Sequence, residues 1–199
     1  MIARVESAAC LGIHAYPVAI EVDVATGLPQ FTVVGLPDTS VKESRERVRS
    51  AIKNSGYPFP PNKITVNLAP ADVKKEGPAF DLPIALGILA ASEIIPAEKL
   101  ASYLFLGELA LDGSLRPFKG AVVITSGLKN AGAFILPAEN AREAAMEKGT
   151  VIYPVKNLGE VIRFLRGEQT IEPVPSLSFP ESSPLISGPD GVNFSEVKG

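Results

Sequence analysis

Cysteine, histidine and tryptophan are almost absent from this chain. Its 199 residues include one Cys, one His and no Trp. A single cysteine cannot build an internal disulfide framework. A single histidine excludes multi-histidine zinc sites and argues against a Ser-His-Asp triad. No run approaches the roughly 18 apolar residues of a membrane span. The start, Met1 to Ser7, carries Glu6 and lacks the apolar stretch of a secretory signal. The chain therefore reads as cytoplasmic, with no membrane partner. Glycine-rich phosphate loops are missing as well. Nothing matches G-x-x-x-x-G-K-S/T or G-x-G-x-x-G, and there is no C-x-x-C or H-E-x-x-H. Cys10, among small and apolar residues, is expected to be a buried structural thiol. His14 is expected in a strand or turn.

What the chain does have is enough apolar material for a core: 46% hydrophobic residues against 21% charged, with a net charge of −3. A domain of ~150 residues buries roughly 70% of the surface its unfolded chain exposes, so no metal or disulfide staple is needed. The mild acidity argues against a protein that binds nucleic acid over its whole surface, while leaving local basic patches open.

Residues 2–11 and 14–25 read as two strands turning at Gly12; Val18, Ile20, Val22 and Val24 give the period-two pattern of a half-buried strand. Phe31 to Val34 is a short third strand. A helix follows over about 39–54, capped by Asp38 or Thr39, with Val41, Val48 and Ile52 on its apolar side. Lys63 to Leu68 reads as a strand, and Lys74 to Pro78 as a polar turn. Residues 81–92 are apolar nearly all round and predict a buried helix, with Pro83 in its first turn. Runs at 103–111 and 115–117 flank Asp112-Gly113, a hairpin signal. A helix over about 119–131, a strand at 133–136, a helix from 137 to near 149, a strand at 151–155 and a helix capped by Asn157 complete the order. That order is an α+β or α/β domain with a mixed sheet. It is expected to occupy 1–166, followed by a Pro/Ser/Gly-rich linker over 167–199 to which no core is assigned.

Two features invite a binding role. The first helix carries Lys42, Arg45, Arg47, Arg49 and Lys53, candidates for contact with DNA or a neighbouring subunit. A solvated face, with Glu43 paired to Arg47 and Glu46 to Arg49, is the plainer alternative. The turn before the buried helix could also offer backbone N–H groups to an anion. Glu76 and Asp81 oppose that and would themselves satisfy the helix start.

Three segments carry a family resemblance: Val34 to Arg49; Ile64 to Asp72, running on through Lys75-Glu76-Gly77-Pro78-Ala79-Phe80-Asp81-Leu82-Pro83; and Leu106-Gly107-Glu108-Leu109 with Leu111-Asp112-Gly113. Together they resemble the N-terminal domain of the YifB/ComM family, bacterial magnesium-chelatase-like AAA+ ATPases. The resemblance implies a fold like the Lon proteolytic domain, of the class named for the second domain of ribosomal small-subunit protein five. Lon-type peptidases place a nucleophilic serine in a Gly-Pro-Ser string; here the string is Gly77-Pro78-Ala79. Alignment on Gly120 puts Val122 at the position of Lon's lysine. The resemblance thus implies a scaffold without peptidase chemistry, with no catalytic residue, metal or cofactor in these residues.

It further implies that the intact protein is a ring-forming, hexameric ATPase using ATP and Mg. In the ComM branch it implies a DNA helicase promoting branch migration in natural transformation. The ending Asp190 to Gly199 is similar to the entry into the family's AAA+ module, so the missing P-loop is expected to reflect truncation. Two other readings stay open. One is an active Lon-like serine peptidase with a relocated dyad, Ser40, Ser44 or Ser126 with Lys119. The other is a peptide- or protein-binding module on the same scaffold with no DNA role.

Overall fold

A computed structural model describes residues 1–175. Nine strands and five helices follow in the order β1 (Ile2–Leu11), β2 (His14–Ala25), β3 (Gln30–Val34), α1 (Thr39–Asn54), β4 (Lys63–Ala69), α2 (Asp81–Ala91), β5 (Tyr103–Phe105), β6 (Glu108–Leu109), β7 (Leu115–Arg116), α3 (Ala121–Gly127), β8 (Ala133–Pro137), α4 (Ala141–Ala144), β9 (Val151–Val155) and α5 (Leu158–Leu165). Seven strands form one sheet in the order β3-β4-β2-β1-β5-β8-β9. β1–β2 and β2–β4 are antiparallel. The β3–β4, β1–β5, β5–β8 and β8–β9 pairs are parallel. The expected mixed sheet is therefore present, and it is mostly parallel.

Strand alternation sorts the core to two faces. Ala3, Val5, Val18, Ile20, Val22, Phe105 and Ile135 pack with α1, α2 and α5, while Ala8, Leu104, Phe134, Leu136 and Ile152 pack with α3 and α4. Every residue of α2 is buried, as expected of a helix with no polar face. Gly87 allows its close approach, because a Cβ there would lie 2.5 Å from Cγ2 of Val22.

Several expectations are corrected. Cys10 is exposed, not buried, because it falls among the last residues of β1, where strand pairing outlasts core cover. Lys75, read as part of a polar turn, is fully buried, its Nζ donating to the carbonyls of Pro70 and Val73. The run 103–111 does not form one hairpin strand: β5 joins the main sheet, and only Glu108–Leu109 pairs with Leu115–Arg116. Gly107 is the break. Its N–H donates to Ala79 O at 2.8 Å and its carbonyl accepts from Leu82 N at 3.0 Å, tying the chain to the start of α2. The helix expected over 119–131 is confined to Ala121–Gly127. It starts at Gly120, whose φ of +86° suits glycine. It ends as Gly127 packs on Ala15, where a Cβ would stand 2.7 Å away. The helix expected from 137 to near 149 is a 3₁₀ turn, Ala138–Asn140, followed by α4.

Beyond Gly167, Ile171 packs on the larger core and Val174 bridges Ile152 at the β9 edge. The rest of the expected linker, including 190–199, lies outside the described residues.

Gly35 ends β3 with φ of +94°, and a Cβ there would overlap the backbone carbonyl of Leu68. Gly56 has a similar φ of +87° but open space around it. Gly35→Ala is expected to cost about 3 kcal/mol and Gly56→Ala about 1 kcal/mol, read as shifts of the urea unfolding midpoint.

Candidate functional site

The start of α2 is built from all three segments that carry the family resemblance. Asp38 caps α1 by accepting from Val41 N at 2.8 Å, and its other oxygen accepts from Gly77 N at 3.3 Å. Backbone bonds Asp38 N to Lys75 O and Lys75 N to Leu36 O lock the two loops side by side. Asp81, in the first turn of α2, has no exposed side-chain surface. Arg47 reaches it from α1, Nε to Oδ2 at 2.6 Å and Nη2 to Oδ1 at 3.0 Å, and Nη2 also donates to Ser40 O. Leu109 N donates to Asp81 Oδ2 at 3.2 Å. The carboxylate also lies where the helix dipole favours negative charge. Burial pushes the Asp81 pKa up to about 6, against the pull of Arg47 and of the Leu109 N–H; nearby Glu108 pushes the same way as burial.

Beside this knot lies a cleft of about 370 Å³, lined by Ala8, Ala9 and Cys10 of β1, by Gly77-Pro78-Ala79-Phe80, and by Glu76, Glu108, Lys119 and others. Ala79 thus faces the cleft, at the position where the resemblance puts a nucleophile. Among the described residues no Ser or Thr lines it. Lys119 is exposed at its edge. Val122 sits in the first turn of α3 and donates its backbone N–H to Glu143 at 3.2 Å. The serines considered for a relocated dyad lie elsewhere. Ser44 is buried in α1, with no hydrogen-bond partner for its hydroxyl. Ser126 donates to Glu147 at 3.0 Å. Ser40 contributes its carbonyl to Arg47.

The five cations of α1 divide. Arg47 turns inward to Asp81 and does not pair with Glu43 as expected. Glu46 pairs with Arg45 at 3.0 Å rather than with Arg49. Arg49 lies over the Phe59 ring, 5.8 Å from its centroid. Lys42, Arg45, Arg49 and Lys53 are exposed. Sequence reasoning missed Asp81 as Arg47's partner and Phe31 and Phe59 as neighbours of the basic face. Helical spacing reports contacts within one helix, and all three of these residues lie outside α1. The one available signal for Asp81 was a lone acid opening an otherwise apolar helix. Among the described residues no His/Cys/Asp/Glu group could hold a metal ion, and no helix is long and apolar enough to cross a membrane.

Residues 20–140 match the family model for subunit ChlI of Mg-chelatase. The chain is 49% identical over 172 residues to the uncharacterized protein YifB of Salmonella typhimurium, covering 86% of this chain and 34% of that protein. It is 41% identical over 199 residues to the competence protein ComM of Haemophilus influenzae, covering 100% of this chain and 39% of that protein. A Lon protease of Brevibacillus choshinensis is 25% identical over 166 residues, covering 76% of this chain and 21% of the protease. The chain thus spans between 34% and 39% of the length of the YifB and ComM relatives.

Two outcomes follow from the buried pair. Arg47→Met leaves a buried carboxylate unpaired and is expected to cost about 3 kcal/mol, whereas Lys42→Ala, at an exposed position, should stay within about 0.5 kcal/mol; urea titration of each variant measures both. The pKa of Asp81 is higher folded, about 6, than its ordinary 3.8. Between those values the folded state holds the proton more tightly, so stability relative to Asp81→Asn is expected to rise as pH falls through 6. The gain is complete below the ordinary pKa and lost above the folded one. Parallel thermal melts of the two proteins from pH 7 to pH 4 measure the difference.

Proposed function

Since the chain belongs to the magnesium-chelatase-like YifB/ComM family, we propose that it is the non-catalytic N-terminal domain of a AAA+ ATPase. The intact protein acts in the cytoplasm as a hexameric ring-shaped DNA helicase that promotes branch migration during natural transformation and recombination. ATP and Mg are held by a Walker-motif module outside these residues, and DNA is the partner of the assembled ring. The domain itself, a Lon-like unit over 1–166 followed by a linker, serves substrate engagement or ring assembly.

One observation carries the non-catalytic reading: Ala79 faces the cleft beside α2, and among the described residues no hydroxyl side chain lines that cleft. A methyl group cannot attack a carbonyl, and a Ser-Lys peptidase needs a hydroxyl within reach of a lysine amine. Lys119 stands at the edge, and among the described residues no serine shares the cleft with it. The cleft itself persists, with an apolar floor and charged groups at Glu76, Glu108 and Lys119. That favours, as a second reading, peptide or protein binding on a scaffold that has lost its chemistry.

The 199-residue chain is expected to hydrolyse neither casein nor ATP and to resist labelling by a fluorophosphonate serine probe. The intact protein is expected to move a four-way DNA junction only with ATP and Mg. Probe labelling that Ser40→Ala, Ser44→Ala or Ser126→Ala removes would overturn the non-catalytic reading. An intact protein that hydrolyses ATP without acting on branched DNA would overturn the helicase reading.

A further inference from the structure

Arg45, Arg49 and Lys53 follow one another at i, i+4 and i+8 along α1, so they form one stripe extending about 12 Å. The stripe does not face open solvent alone. It borders a cavity of about 290 Å³ that Phe31 of β3 and Phe59 of the loop after α1 also line. The two rings are nearly parallel, with 10° between their planes and centroids 6.4 Å apart. The Arg49 guanidinium lies over the Phe59 ring at 5.8 Å. Three prolines, Pro29, Pro60 and Pro61, complete much of the wall and limit its backbone freedom. Among the described residues no Asp or Glu lines the cavity. Glu46 engages Arg45 alone, from an exposed position.

The cavity therefore combines three positive charges with an aromatic surface and supplies no negative charge of its own. Its ligand must carry anionic groups together with a flat apolar face. A peptide rich in Asp or Glu brings the charge without the flat face. A DNA duplex brings phosphates but keeps its bases stacked inside. A single strand presents both: phosphates to a basic track and unstacked bases to aromatic rings. We propose that this cavity is a single-stranded nucleic-acid site, with Arg45, Arg49 and Lys53 meeting phosphates and the aromatic surface of Phe59 and Phe31 taking a base. The proposal rests on the reading of the intact protein as one that handles DNA, and it places a contact on this domain. Arg47 is outside the site because Asp81 holds it. Lys42 is exposed on the same helix but does not line the cavity.

The test uses fluorescence anisotropy of the 199-residue chain with a labelled dT20 strand and a labelled 20-base-pair duplex, across a salt series. The chain should bind dT20 more tightly than the duplex. Phe59→Leu, which keeps an apolar side chain, should weaken dT20 binding about tenfold and leave the duplex unchanged. Arg49→Ala should weaken both and lower the salt slope by about one unit. Arg49→Lys should keep the slope while narrowing the preference for single strands. Lys42→Ala should change none of these, and thermal melts verify that each variant is folded.

The site is overturned if Phe59→Leu affects neither ligand or both equally, or if Lys42→Ala costs as much as Arg49→Ala. It is also overturned if poly-glutamate displaces dT20 as well as unlabelled dT20 does. If the chain binds no DNA while the intact protein drives junction migration, this site fails and the helicase reading stands. If the chain shows the Phe59-dependent preference while the intact protein moves no junction, the site stands and the helicase reading fails.

Discussion

A carboxylate with no solvent access, Asp81, fixes the centre of this fold. An isolated buried charge is too costly to persist, so its surroundings must supply both a countercharge and hydrogen bonds. Here they come from two different parts of the chain: a bidentate guanidinium from α1 and a backbone N–H from β6. Each brings its element to the same end of α2. Asp38 extends the arrangement by capping α1 with one oxygen and accepting from Gly77 with the other. Gly107 closes it, bonding backbone to backbone with Ala79 inside the 3₁₀ turn Pro78–Phe80 and with Leu82 in the first turn of α2. The three segments that identify the family are thus the three walls of one polar knot. Much of what makes them recognisable is accounted for by folding alone.

The helix that this knot starts has no polar side. Each residue from Asp81 to Ala91 is buried, so the helix needs cover all round. The sheet supplies one side through Val5 and Val22, near enough that Gly87 has no room for a side chain. α1 supplies another through Val41, Val48 and Ile52. Such an enclosure holds the turn at Gly77-Pro78-Ala79 firmly against the neighbouring cleft. It is the kind of rigid platform on which a nucleophile could be positioned. The residue that stands there is Ala79, so the platform and the cleft are present with a methyl group at that position.

Periodicity made the regular elements legible. β1, β2, α1, β4, α2, β9 and α5 fall within a residue or so of where alternation, helical spacing and caps place them. Asp38 and Asn157 do cap α1 and α5. The failures are tertiary. Lys75 was unreadable because a lysine in a turn is normally solvated, and only the two carbonyls around its Nζ explain its burial. Cys10 misled because small apolar neighbours suggest a core, whereas β1 extends past the helices that would cover it. The run 103–111 split because Gly107 answers to Ala79 and Leu82, residues more than twenty positions earlier. For the site, the family resemblance alone drew attention to Ala79 and Val122. It could not show that Arg47 belongs to a different environment from its four neighbours.

That division of α1 decides how the basic helix can be understood. Val41, Ser44, Val48, Ala51 and Ile52 face the core. Arg47 is directed to Asp81, while Arg45, Arg49 and Lys53 stand beside the aromatic cavity. A tally of the helix charges gives five cations against nearby acids and invites a single electrostatic role. Geometry separates them into a cation bonded to Asp81, an exposed stripe of three beside the cavity, and Lys42, exposed away from it. Arg47 is the residue whose loss would most disturb the fold, so a loss of binding on replacing it would say nothing about contact. Arg49 differs: it is exposed, its ring neighbour is half-buried, and neither belongs to the knot at α2. Its effect on a ligand can therefore be separated from any effect on folding. One helix thus carries both an inward cation bonded to Asp81 and an exposed row of cations beside the aromatic cavity.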